Sequence, residues 1–350
     1  MSATIPEEFA LFTVEETIVY PIATLSVTYF IYGFYILLFG SCVYMMRSRR
    51  REDEPRYLNL YLSLTVALFA LSTMFIAAFT LSLVARATVL FTALKLEEYE
   101  HFTDYELHSI TKIVSFSIQQ LTIVLLNSTA DYMLIYRCYV IWGSRKRVAV
   151  PLIVASVLTN VLGFVSFVVI TISDTDLTIN SEDTLFIIGD DFSSVYSISS
   201  GVVNSVLTLL TAGRIWWIHR KARAHGVQTS DNFMYSVARI ILESGIIYPG
   251  FIIAGLIMTN IDGLSDLPFD FYPLVAMSAG IAPTLIMVRA KLGMNVESLQ
   301  GTVSEIRFTS IPAAGGVTPV FSIGNLSTVA PLESERRSAR AVYEKDTIAV

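Results

Sequence analysis

Residues 148–173 read VAVPLIVASVLTNVLGFVSFVVITIS, an apolar stretch without a charged side chain. An α-helix rises about 1.5 Å per residue, so a stretch of this length crosses a bilayer's hydrocarbon core, which is about 30 Å thick. Its flanks carry opposite charges, with the basic run 145–147 (RKR) before it and Asp174 and Asp176 after it. Because short basic loops stay in the cytosol, the stretch predicts a transmembrane helix whose N-terminal end is cytosolic.

Similar apolar stretches recur along the whole chain, separated by short polar loops. We predict spans at about 22–46, 57–84, 112–142, 148–173, 193–218, 233–259 and 268–290. Lipid cannot satisfy an open backbone, so Pro249 in span six and Pro283 in span seven should kink helices rather than end them. Charged residues are 15% of the chain, whereas a soluble domain carries about 25%. The predicted fold class is therefore an all-α membrane protein, a seven-transmembrane helical bundle.

The direction of the bundle follows from the charges of its loops. Basic runs follow spans one, three and five, at 47–51 (RSRRR), 145–147 (RKR) and 220–223 (RKAR). The opposite loops, 174–191 and 260–270, hold several acidic residues and no Lys or Arg. This asymmetry predicts an N-terminus outside the cell and a C-terminus in the cytosol.

The domain organisation follows from the same pattern. We predict an extracellular N-terminus over 1–21, the bundle over 22–292, and a cytosolic tail over 293–350. The tail gains Gly, Ser, Thr and Pro and lacks a long apolar run, which is typical of disorder. The chain begins with acidic residues and without the basic start of a cleavable signal peptide, so the first span should serve as its own targeting signal. We expect an integral protein of the plasma membrane.

Five charged side chains fall inside the predicted spans, more than two residues from either end, where burial in lipid is costly. They are Asp131, Arg137, Arg214, Arg239 and Glu243. Helical rise places all of them in the cytosolic half of the membrane, and the spacing of four between Arg239 and Glu243 puts those two on one helix face. We predict an ionic layer of Asp131, Arg137, Arg239 and Glu243, a latch between spans three and six. The alternative is a static polar clamp whose outermost arginines reach lipid phosphates.

Three uncharged amides also lie within spans. They are Asn127, Asn160 and Asn204. Interhelical hydrogen bonds of this kind contribute under about 1 kcal/mol each, so we expect these amides to position helices more than to bind a ligand.

One polar stripe lies outside the predicted spans. Glu97, His101, Asp104 and His108 fall on one face if their loop is helical. Two imidazoles and two carboxylates can hold zinc or sense pH, but the favoured interpretation is an acidic helix lying on the membrane surface. We therefore predict no metal site.

Several membrane chemistries are disfavoured by where the histidines and lysines lie. All four histidines are in loops or at a span end, namely His101, His108, His219 and His225. An intramembrane zinc hydrolase would lack ligands and a Ser-His protease would lack its base. A retinal protein needs a lysine inside its last span, whereas Lys291 lies only at the exit. We expect no enzymatic activity, no cofactor and, without a basic patch interleaved with aromatics, no nucleic-acid partner.

Four motifs carry a family resemblance. They are 137–143 (RCYVIWG), 213–217 (GRIWW), 243–249 (ESGIIYP) and 280–289 (GIAPTLIMVR). Together they resemble a large family of uncharacterised seven-transmembrane proteins of mushroom-forming (basidiomycete) fungi, over roughly residues 20–295. The resemblance implies the fold and a fungal origin, and it implies no activity.

A looser similarity is to G-protein-coupled receptors. The topology agrees, and Arg137 with Tyr139 lies where those receptors carry an acidic-Arg-Tyr triplet. This chain departs from that pattern, because Tyr136 replaces the acid and no tyrosine follows Pro283 closely. Such a similarity of fold indicates function only by analogy.

The functional prediction is a receptor-like protein that senses a ligand across the lipid bilayer. A small ligand would bind among the outer halves of the spans, and the basic loops and the tail would bind a cytosolic signalling partner. The alternative is a transporter or channel that uses Asp131 and Glu243 as a proton or cation relay. A membrane enzyme is the third and least favoured prediction.

Overall fold

The computed structural model describes residues 15–48, 55–96, 100–175, 182–224, 231–260 and 268–305. A π-helical turn, Glu15–Val19, leads into the first α-helix. The α-helices are α1 Tyr20–Ser48, α2 Pro55–Leu96, α3 Glu100–His108, α4 Ile110–Ile141, α5 Lys146–Thr175, α6 Glu182–Ala224, α7 Asp231–Gly245, α8 Ile247–Asn260 and α9 Tyr272–Glu305. No strand occurs in these described ranges.

Seven helical segments are long and apolar enough to cross a membrane. They are Thr17–Arg47, Asn59–Leu96, Glu100–Ile141, Lys146–Ser173, Ile187–Lys221, Val237–Met258 and Tyr272–Ala290. α3 and α4 together form the third, and α7 and α8 form the sixth. The prediction of an all-α membrane protein with a seven-transmembrane bundle is therefore confirmed.

Two helices extend well beyond the predicted membrane boundaries. α2 continues to Leu96 rather than ending near 84, and α6 begins at Glu182 rather than near 193. The extension of α2 is held by α3, since Leu90, Ala93 and Phe102 form a small apolar cluster between the two helices. Hydropathy predicts which residues lie in the hydrocarbon core. A helix continues beyond that core wherever its backbone hydrogen bonds and its packing against neighbouring helices stabilise it.

The ends of the chain show a further difference from the predicted domains. α9 continues to Glu305, so the first part of the predicted tail, 293–305, is helical. The chain divides into units 1–303 and 304–350, and only Ser304 and Glu305 of the second unit are described. The rest of the predicted tail and residues 1–14 of the predicted N-terminus lie outside the described residues.

Span six breaks one turn before its proline. α7 ends at Gly245 and α8 begins at Ile247. Pro249 has no N–H for the carbonyl four residues earlier, which is that of Gly245, and its ring crowds that carbonyl. Helical hydrogen bonding continues beside the break, where the Ile246 N–H donates to Leu242 O at 3.1 Å. Span six is thus interrupted at Ile246, whereas α9 continues as one helix through Pro283.

The interior is organised around α9. Met277, Ala279 and Ala282 of this helix are buried in the main apolar cluster, together with residues of α1, α2, α4 and α8. Around it, α4 packs on α2, α5 and α6, and α6 packs on α5, α7 and α8. The other spans expose apolar side chains on one side, as lipid-facing helices do.

Candidate functional site

A cavity of about 560 Å³ lies among α1, α4, α6, α8 and α9. It is at the end of the bundle where α5 and α8 end and α6 and α9 begin. We call this the acidic end, because the sequence stretches 174–191 and 260–270 are acidic, and their charge predicts that it lies outside. The opposite, basic end carries 145–147 and 220–223. A cavity of this size is in the range of small-molecule sites.

The floor of the cavity is made of polar groups that satisfy one another. Asn127 Nδ2 donates to Tyr196 Oη at 2.7 Å, and the hydroxyls of Ser200 and Tyr248 share a hydrogen bond of 2.8 Å. Both tyrosines are buried, with 5% and 3% of their surface exposed. Because these donors and acceptors are paired, the floor is neutral and structurally closed.

Close-packed apolar side chains lie beneath this floor, toward the basic end. Met133 of α4 and Leu207 of α6 are both fully buried, each about two turns beyond the polar floor. The cavity therefore ends within the bundle at this point.

Aromatic side chains form the wall of the cavity near α9. Phe269 and Phe271 line it, and the Phe271 ring stacks on Phe251 with centroids 5.7 Å apart. Tyr272 Oη donates to Gln120 Oε1 at 3.3 Å, which ties α9 to α4. These contacts hold ring faces and edges at fixed positions around the cavity.

Asp190 and Asp270 are the charged residues among those lining the cavity. Asp270 Oδ1 accepts a hydrogen bond of 2.8 Å from the Tyr272 N–H, and the Asp270 N–H donates to Thr24 Oγ1 at 2.9 Å. Burial raises the pKa of the Asp270 carboxyl, and the hydrogen bond from Tyr272 partly offsets this shift. The site is therefore acidic in character, with one carboxylate anchored to the backbone of α9.

Two basic residues at this end, Arg86 and Lys112, already form ion pairs. Arg86 Nε and Lys112 Nζ each lie 3.1 Å from a carboxylate oxygen of Glu106. These pairs join α2, α3 and α4, and neither Asp190 nor Asp270 takes part in them.

Asp131 lies deeper in the bundle, against α5. It is buried, and Ser156 Oγ donates to its Oδ2 at 2.7 Å, while Asn160 Nδ2 lies 3.5 Å from the same oxygen. Asn160 Nδ2 also donates to Ser156 O at 2.8 Å. The partners of this carboxylate are therefore neutral groups of span four.

The predicted ionic layer is only partly assembled. Arg239 Nε and Glu243 Oε1 are 2.6 Å apart, so the predicted pair within span six is present. Glu243 Oε2 lies 3.5 Å from Arg289 Nη1 of α9. The layer thus joins spans six and seven rather than three and six. Helical spacing predicts which residues share a face, but it does not predict which neighbouring helix that face contacts.

The half-buried arginines of spans three and five contact aromatic rings. The Arg137 guanidinium lies over the Tyr61 ring, 5.5 Å from its centroid. Arg214 lies between Trp142 and Trp217, at 5.1 and 4.4 Å. Cation–π contacts of this kind favour a static role for both arginines.

The three predicted amides have different surroundings. Asn127 belongs to the cavity floor, Asn160 belongs to the Asp131 cluster, and Asn204 is buried in α6. The sequence does not reveal Tyr196, Tyr248 and Arg289 as partners, since a tyrosine in an apolar run carries no local signal of what it faces. Asp270 belongs to an acidic loop by its sequence pattern, and its place at the start of a span is the signal that it lines a site.

The polar stripe on α3 is a surface feature where the structure describes it. His108 Nδ1 lies 3.2 Å from Asp104 Oδ1 on α3, and both side chains are exposed. Glu97 lies outside the described residues. No group of three or more His, Cys, Asp or Glu residues suited to a metal ion occurs within the described ranges.

A second cavity, of about 900 Å³, is a groove between α4 and α5. Its walls are almost entirely apolar, with exposed residues such as Val157 and Val161, and it faces the side of the bundle. Ser156 and Asn160, the partners of Asp131, also line it. This arrangement brings a buried carboxylate close to a groove on the lipid-facing surface.

Comparison of the chain with protein-family models, with curated proteins and with solved structures returns no match. The resemblance to the seven-transmembrane proteins of mushroom-forming fungi therefore stays a prediction.

Proposed function

We propose that this integral membrane protein is a receptor-like sensor that binds a small ligand in the acidic-end cavity. The observation that carries the proposal is the cavity itself, which α1, α4, α6, α8 and α9 line and whose polar floor is closed by Asn127, Tyr196, Ser200 and Tyr248. A closed floor suits a bound ligand that acts on the helices without passing between them.

A ligand in this cavity would contact α4, α6, α8 and α9 at once. The break at Gly245–Ile247 lies between the cavity-lining residues of α8 and the Glu243 pair of α7. Breaks of this kind allow one half of a span to move relative to the other. Ligand binding would shift the bundle between two arrangements by its difference in affinity for them.

The basic end supplies the other half of the proposal. Glu243 holds Arg239 and Arg289 there, so α7 and α9 are linked by ion pairs where a cytosolic partner would bind. Breaking these pairs would let the two helices separate. The basic run 220–223 at the C-terminal end of α6 provides positive charge that attracts such a partner.

Proximity labelling and co-purification of the intact protein from its native membrane test the proposal. Enrichment of a heterotrimeric G protein that is lost when the 219–231 loop is replaced by a neutral sequence supports it. A folded protein at the cell surface without any such enrichment would contradict it.

The surroundings of Asp131 favour a second candidate function, a proton or cation transporter. Its carboxylate has neutral partners, Ser156 and Asn160, which line the groove between α4 and α5. Flux into proteoliposomes that Asp131→Asn abolishes, with the fold preserved, would replace the receptor proposal by this one. Equal flux in empty liposomes and in proteoliposomes would exclude it.

A further inference from the structure

We infer that the acidic-end cavity is a site for a small organic cation, an ammonium group on an apolar body, with Asp270 as its counter-ion. This inference uses the same cavity as the proposed receptor function and names the chemical class of its ligand.

The first step is the missing counter-charge of Asp270. One carboxylate oxygen accepts the Tyr272 N–H, and no Lys, Arg or His pairs with this carboxylate in the part of the chain that the structure describes. Thr24 and Tyr20 of α1 and Tyr272 of α9 are its neighbours, Arg86 of α2 acts on the same Tyr20, and Asp190 of α6 lines the same cavity. A carboxylate shielded from water is costly unless a positive charge neutralises it.

The second step is that the flanking loops supply no cation. Residues 174–191 and 260–270 contain several acidic residues and neither Lys, Arg nor His. Arg86 and Lys112, at the same end, are paired with Glu106. No basic residue of the described chain is paired with Asp270, so a cationic ligand in the cavity can supply the counter-charge.

The third step distinguishes an organic cation from a metal ion. A hard metal ion needs about six oxygen ligands, and no three-residue cluster suited to a metal is present in the described ranges. The cavity instead offers aromatic rings, including Phe116, Phe269 and Phe271. Ring faces attract ammonium groups and also solvate an apolar body, so this lining favours an organic cation.

The test compares two probes of the same shape. Phenyltrimethylammonium carries a permanent charge, and tert-butylbenzene is its neutral isostere. Each is equilibrated by dialysis against the full-length protein in nanodiscs, with empty nanodiscs as the blank for lipid partitioning. We expect the cation to bind at least about tenfold more tightly than the isostere, as close charge complementarity allows.

Two variants locate the effect. Asp270→Asn should remove the preference for the cation, whereas Asp104→Asn, an exposed acid of α3 at the same end, should leave it intact. A cation that binds no better than its isostere, or a preference that survives Asp270→Asn, would overturn the inference.

If Asp270→Asn fails to fold, a pH titration of ligand binding to the unaltered protein tests the role of Asp270 instead. Burial raises the pKa of Asp270, so the carboxylate is lost as pH falls through that raised value. Binding of the permanent cation should therefore decline at a higher pH than an exposed aspartate would cause. Binding that stays constant down to pH 4 would contradict the inference.

The outcomes separate this inference from the proposed function. Cation binding without recruitment of a cytosolic partner would leave the site in place and defeat the receptor. Recruitment that persists in Asp270→Asn, together with equal binding of both probes, would keep the receptor and defeat the cation site.

Discussion

Single side chains on α4 show how a polar residue is tolerated inside this bundle. Asn127 and Asp131 are four residues apart and share a helix face, yet they have different partners, Tyr196 of α6 and Ser156 of α5. Their burial was predictable from their position in an apolar run. Their hydrogen-bond partners were not predictable, because packing decides how α5 and α6 are rotated about their own axes.

Tyr196→Phe tests the pair at the cavity floor. Removing the hydroxyl leaves the buried Asn127 amide without its acceptor, so we expect a loss of about 1 kcal/mol in the free energy of unfolding. Thermal unfolding in detergent measures it. Tyr132→Phe is the matched control, since Tyr132 is half exposed on the lipid-facing side. Equal effects of the two variants would mean that the hydrogen bond contributes nothing specific.

The elements α7 and α8 meet at the most constrained point of span six. A Cβ on Gly245 would collide with the Thr208 side chain of α6, so only glycine allows this approach. Pro249 positions the break there by leaving the Gly245 carbonyl without a donor. The combination of a small residue and a missing N–H brings α6 and span six into close contact.

Gly245→Ala should therefore destabilise the protein by about 1–3 kcal/mol through overpacking. Gly250→Ala, a few residues along, meets nothing within 4 Å and should be neutral or slightly stabilising, because alanine favours a helix. Urea or thermal unfolding compares the two. Adding Thr208→Ala to Gly245→Ala should restore part of the loss, and its failure to do so would show that the clash is relieved in another way.

The ion pairs between α7 and α9 make a second prediction at this scale. Glu243→Gln removes the ion pairs with Arg239 and Arg289, so in a receptor it should raise the basal recruitment of a cytosolic partner. Stability should change by less than about 1 kcal/mol, since these side chains are about half exposed.

Glu106→Gln is the control for this change, because it breaks two comparable pairs at the acidic end. It should leave basal recruitment unaltered. If Glu243→Gln also leaves recruitment and stability unaltered, the pairs are a static clamp.

The whole molecule is polarised, with acidic residues at one end and basic runs at the other. This polarity predicts the orientation in the membrane, since basic short loops stay in the cytosol. It also concentrates cations at the acidic end, where the cavity lies. Charge distribution and cavity position therefore favour the same side for ligand entry.

Cysteine labelling in intact cells tests the orientation. The natural cysteines, Cys42 and Cys138, are buried and should therefore contribute little background labelling. A membrane-impermeant maleimide should label Asp104→Cys on α3 and should label Arg145→Cys only after the cells are permeabilised. The reverse pattern would place the N-terminus in the cytosol.

The sequence by itself determined the all-α class, the seven spans and the face shared by Arg239 and Glu243. These features are local, since hydropathy, the backbone's need for hydrogen bonds in lipid, and the 3.6-residue period each act along one helix. Only the tertiary structure decided that Glu243 pairs with Arg289 of span seven rather than joining a layer with Asp131 of span three. It also decided that α2, α6 and α9 extend beyond their apolar stretches and that Asp270 lines a cavity. The physical reason is that lipid is as apolar as most side chains, so hydrophobicity drives helices into the membrane without choosing their neighbours. Close contacts such as Gly245 with Thr208 make that choice, and they depend on residues distant in the chain.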